Sequence, residues 1–323
     1  MPEISCTLST ADHLGAWKGR WGINRMSYLV PAGLYAVGEP NADAPVVVTA
    51  NYKMSFDLVR RALHGRHVWL LVLETFGINV WCAAGKGTFG TDELVNRIAR
   101  SGLPGVVAHR RLILPILGAP GVSAHQVKRR SGFDVAYATI RAADLPEYLD
   151  NGERTTAAMR ALSFTWYERM VLVPVELVLV LRPAALMGAA LYLAATFLGG
   201  SGAAASTALL AYLGAVFTGV AAAPVLLPLL PGKSFAVKGA LAGVIYSALL
   251  YAVAGGASWG VPVTLAAFLA LPALSAFYTL NFTGCTTYTS RSGVKKEMRL
   301  GLPLMGGALL AAALLLVAGS LLS

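Results

Sequence analysis

Only 13% of the 323 residues carry a charge, and cysteine occurs three times. Cys6, Cys82 and Cys285 fall in no CxxC spacing, so the chain by itself holds neither a four-cysteine zinc site nor an iron–sulfur cluster. So odd and sparse a set also argues against a disulfide framework and fits a reducing compartment. No Ser/His/Asp set and no paired carboxylates stand out. Gly85-Lys86 is not a phosphate-binding loop: Val80 stands five positions before Gly85, where glycine is needed, and Gly87 follows the lysine. The N-terminal stretch carries Glu3, Asp12 and His13 and has no apolar core, which predicts no signal peptide. Internal repeats are absent.

What is abundant is apolar, at 56% of the chain, too much for an ordinary water-soluble protein. The charge is unevenly spread. Residues 1–169 hold 19 Lys+Arg and 14 Asp+Glu, whereas residues 170–323 hold 7 and 2. The expected division is a globular domain over 1–169 and a transmembrane domain over 170–323. Net charge is +5 in each half, so the basic balance is not one nucleic-acid patch.

In the first half short β-branched runs alternate with amphipathic stretches. Pro45–Ala50 reads as a strand and Ser55–Leu63 as a capped amphipathic helix. Val68–Leu73 is apolar throughout, as in a strand buried on both faces of a parallel sheet. Thr91-Asp92-Glu93-Leu94 opens another helix with a cap and acids in its first turn. Further strand material is expected at Gly105–Ala108, Leu112–Leu114 and Phe133–Tyr137, with a helix over Val122–Arg130. This alternation predicts an open α/β sheet with ligands at its carboxyl strand ends.

One stretch sits where that rule places a site: Asn79-Val80-Trp81-Cys82-Ala83-Ala84-Gly85-Lys86-Gly87-Thr88-Phe89-Gly90. Asn79 can cap a short helix, which puts Cys82 in a first turn whose free N–H groups and dipole attract negative charge. Lys86 lies four residues on, on the same face. Ala83 and Ala84 add no bulk, so a large flat ligand can approach closely. The residues alone leave a second reading open, a cysteine that is simply a small buried hydrophobe.

Nine consecutive positions, Asn79 to Gly87, resemble the cap-helix motif of the HgcA family of mercury-methylating corrinoid proteins. The resemblance implies that Asn79, Val80, Trp81, Cys82, Ala83, Ala84, Gly85 and Lys86 contact a corrinoid (cobalamin-type) cofactor, with Cys82 the lower axial ligand of its cobalt. It implies a Rossmann-like α/β corrinoid-binding domain followed by an all-α five-helix transmembrane domain. The activity it implies is a methyltransferase passing methyl from methyl-cobalt(III) to Hg(II), giving methylmercury. The partners it implies are an HgcB-type ferredoxin with two 4Fe–4S clusters as reductant and a folate-dependent methyl donor. Leu112–Val122, Ala124-His125 and Ser131-Gly132-Phe133 also resemble the family, but Ile116 stands where glutamine is expected and Ala138-Thr139 where a Gly-Pro turn is usual. None of the histidines sits in the Asp-x-His-x-x-Gly arrangement by which other corrinoid proteins ligate cobalt; His109 and His125 read as structural or solvent-facing. Two further readings stay open: a membrane corrinoid methyl carrier in one-carbon metabolism, and a transporter with a regulatory cytosolic domain.

In the second half, Thr155–Arg169 reads as an amphipathic helical approach, and Met170–Leu181, which carries Pro174 and Glu176 and ends at Arg182-Pro183, as an interfacial or partly buried approach segment. Five spans are expected at about 183–199, 205–230, 239–256, 259–280 and 300–321, each near the ~20 residues a bilayer needs. Lys233 and Lys238 mark one loop, and Arg291, Lys295, Lys296 and Arg299 mark the 281–299 loop, while the 200–204 and 257–258 connections have no Lys or Arg. The expected location is therefore the inner (cytoplasmic) membrane, with the first domain and both basic loops in the cytoplasm. The Asn281–Ser290 segment resembles the same family; its Cys285 reads either as a mercury-relaying thiol or as part of a polar connecting loop.

Overall fold

The computed structural model describes residues 1–197, 201–286, 289 and 291–322. Chain contacts divide it into two units, Met1–Ser163 and Phe164–Ser323. The first is a mixed α/β unit around a six-stranded sheet of order β1-β2-β4-β3-β5-β6, where β1 is Glu3–Ile4, β2 Gly33–Val37, β3 Val46–Ala50, β4 Val68–Leu73, β5 Arg111–Leu114 and β6 Asp134–Tyr137. β3, β4, β5 and β6 run parallel, with Val47 opposite both Leu70 and Ile113. β2 lies antiparallel to β4, so the sheet is mixed rather than all-parallel.

The helices of this unit are α1 (Thr10–Arg20), α2 (Lys53–Ala62), α3 (Val80–Lys86), α4 (Thr91–Arg100), α5 (Ala124–Ser131) and α6 (Leu145–Asp150). A period of two is concealed in the continuous apolar strands. Val46, Val48, Leu71 and Leu73 face a core with Leu94 and Ile98 of α4 and Val127 of α5. Val47, Leu70 and Val72 face the opposite core with Phe56 of α2 and Leu145 and Tyr148 of α6. Each such side chain contributes about 1.5–3 kcal/mol on burial, so both faces hold the sheet. β4 lies on one side of β3 and β5 on the other, which opens a crevice at the carboxyl ends of the parallel strands.

An ion network ties the N-terminal segment to α2. Lys53 bridges Asp12 (2.5 Å) and Asp57 (2.5 Å), and Arg60 bridges the same two carboxylates (2.8 and 2.6 Å). Burial works against the Asp12 charge, but hydrogen bonds from Lys53, Ser9 and Arg60 outweigh it and hold its carboxyl well below the usual range. Burial pushes the nearby Cys6 thiol up, against a smaller opposing effect of Arg60.

Several expectations need correcting. Gly105–Ala108 is not a strand: Gly102 in the left-handed region (φ 65°) and Pro104 produce a 3-10 turn over Leu103–Gly105, and Val107 is buried from a loop. The helix expected from Ser55 starts at Lys53, whose N–H donates to the Tyr28 carbonyl, and it has no side-chain cap. Thr91 is not a cap either; Gly90 holds that position and the Thr91 hydroxyl accepts from the Ser123 N–H. Thr155–Arg169 is mostly non-helical, because Thr155 Oγ1 donates to the Ala138 carbonyl and the Met159 carbonyl accepts from the Ile140 N–H, drawing the chain along the end of β6.

The second unit is helical: α7 (Trp166–Met170), α8 (Val173–Phe197), α9 (Gly202–Phe217), a π-helical turn (Thr218–Ala222), α10 (Ala223–Leu226), α11 (Phe235–Val253), α12 (Val261–Asn281) and α13 (Arg291–Leu322). Among the described residues, five stretches are long and apolar enough to cross a membrane: Trp166–Phe197, Gly202–Leu226, Phe235–Val253, Val261–Gly284 and Ser292–Leu321. The first is longer than expected. α8 continues straight through Arg182-Pro183 rather than beginning there, since an interior proline removes one backbone hydrogen bond without ending a helix that neighbours support. Likewise Lys295, Lys296 and Arg299 lie not in a loop but in the first turns of α13, where Glu297 accepts from Ser234 Oγ and the Ala236 N–H. At 32 residues α13 is about 48 Å long, well beyond a ~30 Å hydrocarbon core. Residues 198–200, 287, 288, 290 and 323, and the Cys285 side chain, lie outside the described residues.

Acid tests the ion network. Because the Asp12 carboxyl is depressed in the folded state, its stabilisation is complete above its unfolded value of about 3.9. It is lost as pH falls below that toward the folded value. Protection of the Met1–Arg20 amides, taken relative to the intrinsic exchange rate at each pH, is expected to fall over this range and to be constant between pH 5 and 7. Protection that is unchanged below pH 4 would show that the network does not hold the segment.

Candidate functional site

Three strand ends converge at the crevice. After β3, Asn51 is 1% exposed and acts as a hub: its Oδ1 accepts from the Thr75 N–H (3.0 Å), and its Nδ2 donates to Glu74 Oε1 (2.6 Å). The Thr75 hydroxyl lies between Asn51 Oδ1 (2.9 Å) and the Ile78 carbonyl (2.8 Å), its one proton going to either. Glu93 of α4 accepts from the Glu74 N–H (2.8 Å) and is held by Arg97. The connection out of β4 is thereby pinned before it reaches Asn79. A side chain at Gly77 is excluded: φ is +72° and a Cβ would lie 2.6 Å from the Met26 carbonyl oxygen.

From this base Asn79 starts α3 as expected. Its Oδ1 accepts from the Cys82 N–H at 2.9 Å, its carbonyl accepts from the Ala83 N–H, and Gly87 ends the helix in the left-handed region (φ 85°). Cys82 is the third helical residue, half-buried, and its sulfur takes no hydrogen bond among the described residues. Trp81 and Val80 are half-buried, and Val80 packs on the sheet core. Lys86 is exposed and makes no ion pair among the described residues.

Ala83 and Ala84 do something other than expected. Both are buried by the protein itself, under the loop that follows β5. A Cβ on Gly121 would lie 2.2 Å from the Phe89 carbonyl oxygen and 2.9 Å from Ala84 Cα, and one on Gly118 would strike the Phe89 ring. Their smallness lets this loop close on α3, so α3 bridges the ends of β4 and β5. The open face belongs to Gly85, three residues after Cys82 and so beside it on the helix, where a Cβ would meet nothing within 4 Å. A free sulfur beside an unobstructed helix face fits a broad, flat ligand that takes a soft donor. No group of three or more His, Cys, Asp or Glu residues suited to a metal ion occurs among the described residues, so Cys82 would serve as a single ligand to a metal held elsewhere.

Asn51, Glu74, Thr75 and the paired glycines were not singled out from the sequence. Asn51 directly follows an apolar strand, which is a usable signal; Gly118 and Gly121 stand in a Pro/Gly loop, where the residue-level need is visible only in three dimensions. His109 is structural, bonded to the Ala44 carbonyl and the Arg111 N–H, and His125 is exposed. Ile116 is half-buried, its N–H donating to the Thr139 carbonyl, and Ala138-Thr139 is a buried strand exit.

Residues 25–139 match the family described as the CO dehydrogenase/acetyl-CoA synthase delta subunit. The chain is also similar to gamma subunits of the acetyl-CoA decarbonylase/synthase complex. It is 31% identical to that of Methanopyrus kandleri over 123 residues, 38% of this chain and 26% of the relative. Against the Methanocaldococcus jannaschii subunit identity is 28% over 129 residues (39% and 26%), and against a Methanosarcina mazei subunit 34% over 99 residues (29% and 21%). The chain thus spans about a quarter of the length of these relatives. The 25–139 match includes β2 to β6 and all of α3, and it stops before the five apolar helices.

The cap and the glycine contact are separable. Asn79→Ala is expected to cost about 1 kcal/mol locally and raise hydrogen exchange across Val80–Lys86 about fivefold, with Asn79→Asp restoring protection. Gly121→Ala is expected to raise exchange further, because backbone must move to admit the methyl. Exchange unchanged in both variants would mean that neither feature holds α3.

Proposed function

We propose that this chain is a membrane-anchored corrinoid methyltransferase that passes a methyl group to Hg(II), giving methylmercury. The observation that carries it is Cys82: a free, half-exposed sulfur on an Asn79-capped turn, beside the open Gly85 face, at the carboxyl ends of parallel strands. The similarity of residues 25–139 to the delta subunit family supports a corrinoid iron–sulfur protein-like domain, and with it a corrinoid cofactor. The five long apolar helices support placement in a membrane, and the Lys and Arg residues between spans two and three and between spans four and five favour the inner membrane with the α/β unit in the cytoplasm.

In this reading Cys82 Sγ would ligate the corrinoid cobalt, and Val80, Trp81, Gly85 and Lys86 would form the surface around it. When bound, a corrinoid supplies a cobalt-held methyl group that can be handed to an acceptor. The protein's part is positional and electronic. Cys82 offers a soft, strongly donating sulfur, and Asn79, Ala83 and Ala84 fix the turn from which it projects. Lys86 lies four residues on, one turn along the same helix. With no cluster of its own among the described residues, the chain needs an external electron donor, for which an HgcB-type ferredoxin with two 4Fe–4S clusters fits. A folate-dependent methyl donor and Hg(II) complete the proposed set.

A second reading, a membrane corrinoid methyl carrier in one-carbon metabolism, is favoured by the names of the relatives, which belong to acetyl-CoA decarbonylase/synthase complexes. One experiment separates the two. Anaerobic cells expressing the chain with its ferredoxin are given Hg(II), and methylmercury is measured for wild type and Cys82→Ala at equal protein and corrinoid content. Production that falls to background in the variant is the expected result. Corrinoid-loaded wild type that makes none would select the carrier reading, and equal production in both would remove Cys82 from the reaction.

A further inference from the structure

The α/β unit exposes an apolar surface that the proposed reaction does not use. Trp17 lies in the last turn of α1 and Trp21 directly follows the helix, their rings 6.2 Å apart, and the chain continues through Ile23, Met26 and Leu29. All five are exposed, Met26 by 62%. Phe76, 64% exposed, joins them from the connection after β4, because the neighbouring Gly77 abuts both the Met26 carbonyl and the Leu29 side chain. Phe76 has φ +55°, held there as its N–H donates to Glu74 Oε1. Non-glycine residues rarely adopt this region, and the ring it carries faces solvent. The backbone beneath is firmly tied: Val30 N–H donates to the Asn51 carbonyl, Lys53 N–H to Tyr28, and Arg25 to the Gly19 carbonyl. The side chains are therefore outward by construction.

Charge narrows what can cover them. No acidic residue lies between Asp12 and Glu39, whereas Lys18, Arg20 and Arg25 are interleaved with the aromatics. Glu74, the acid beside Phe76, is occupied by Asn51 and the Phe76 N–H. Tryptophans, aliphatics and basic residues on one surface match the interface of an anionic bilayer, where rings sit at headgroup depth and each cation gains from the surface potential.

We infer that Trp17, Trp21, Ile23, Met26, Leu29 and Phe76 form a lipid-docking patch that seats the α/β unit on anionic phospholipid. Lipid contact at Phe76 restrains the same connection that carries Asn79 and Cys82. The inference does not depend on the methyl acceptor or on corrinoid loading.

The test uses the full chain in nanodiscs of mixed phosphatidylglycerol and phosphatidylcholine. A photoreactive residue is placed at the patch (Met26→p-benzoylphenylalanine and, separately, Trp21→p-benzoylphenylalanine) and on the exposed end of α5 as a control (Arg130→p-benzoylphenylalanine). After irradiation, phospholipid adducts are expected at both patch positions in several-fold excess over the control, with the excess shrinking in pure phosphatidylcholine discs. Because both patch side chains point outward, the substitutions leave the core intact. Lipid adducts no more frequent than at the control, or adducts mainly to protein, a second copy of the chain included, would overturn the inference.

Discussion

The site depends on a contact in which side chains are missing. Gly121 passes so close to Ala84 and to the Phe89 carbonyl that no Cβ fits, and Ala84 is buried under it. This clamp fastens a seven-residue helix that could not persist alone, because helices so short do not recover their nucleation cost in water. Asn79 caps one end and Gly87 ends the other, but caps only set boundaries. The loop from β5 fixes where the turn carrying Cys82 stands. On the β4 side the Asn51 hub does the same work with hydrogen bonds, so the turn is restrained from both strands that border the crevice.

The sheet beneath shows why such a site is stable at its edge. Val46, Val48, Leu71 and Leu73 bury against α4 and α5 while Val47, Leu70 and Val72 bury against α2 and α6. With both faces covered, the strand ends are rigid and the connections can be irregular. In the connection after β4, Phe76 and Gly77 both have positive φ, and they directly precede the turn that Asn79 caps. The five apolar helices follow a different rule. Gly239 and Gly243 let α11 press against α12, where a Cβ would lie 2.6 Å from Thr279 and 2.5 Å from Pro272 Cα, so small residues rather than charges join these helices.

The amino-acid sequence by itself determined the division into a charged α/β half and an apolar helical half, the number of long apolar helices, and the capped turn at Asn79–Lys86. These follow from local pattern: charge density, run length, and one asparagine three residues before a cysteine. It misplaced what depends on partners. Gly105–Ala108 looks like a strand but Val106 and Val107 donate back to the Leu103 carbonyl and Ala108 to Ala42; Thr155–Arg169 looks helical but Thr155 and Met159 bond Ala138 and Ile140, just past the end of β6. Met170–Leu181 looks interfacial because of Arg182-Pro183, yet α8 runs on through the proline.

Only the tertiary structure decided which face of α3 is open. From the sequence, Ala83 and Ala84 suggested room for a ligand; packed, they are the buried side, and Gly85 supplies the opening. A helix of known register has faces at once, but which of them meets the domain depends on a loop about thirty-five residues further along the chain. That loop approaches because Gly118 and Gly121 lack side chains, and such a need is a distance between backbones, which no local pattern records.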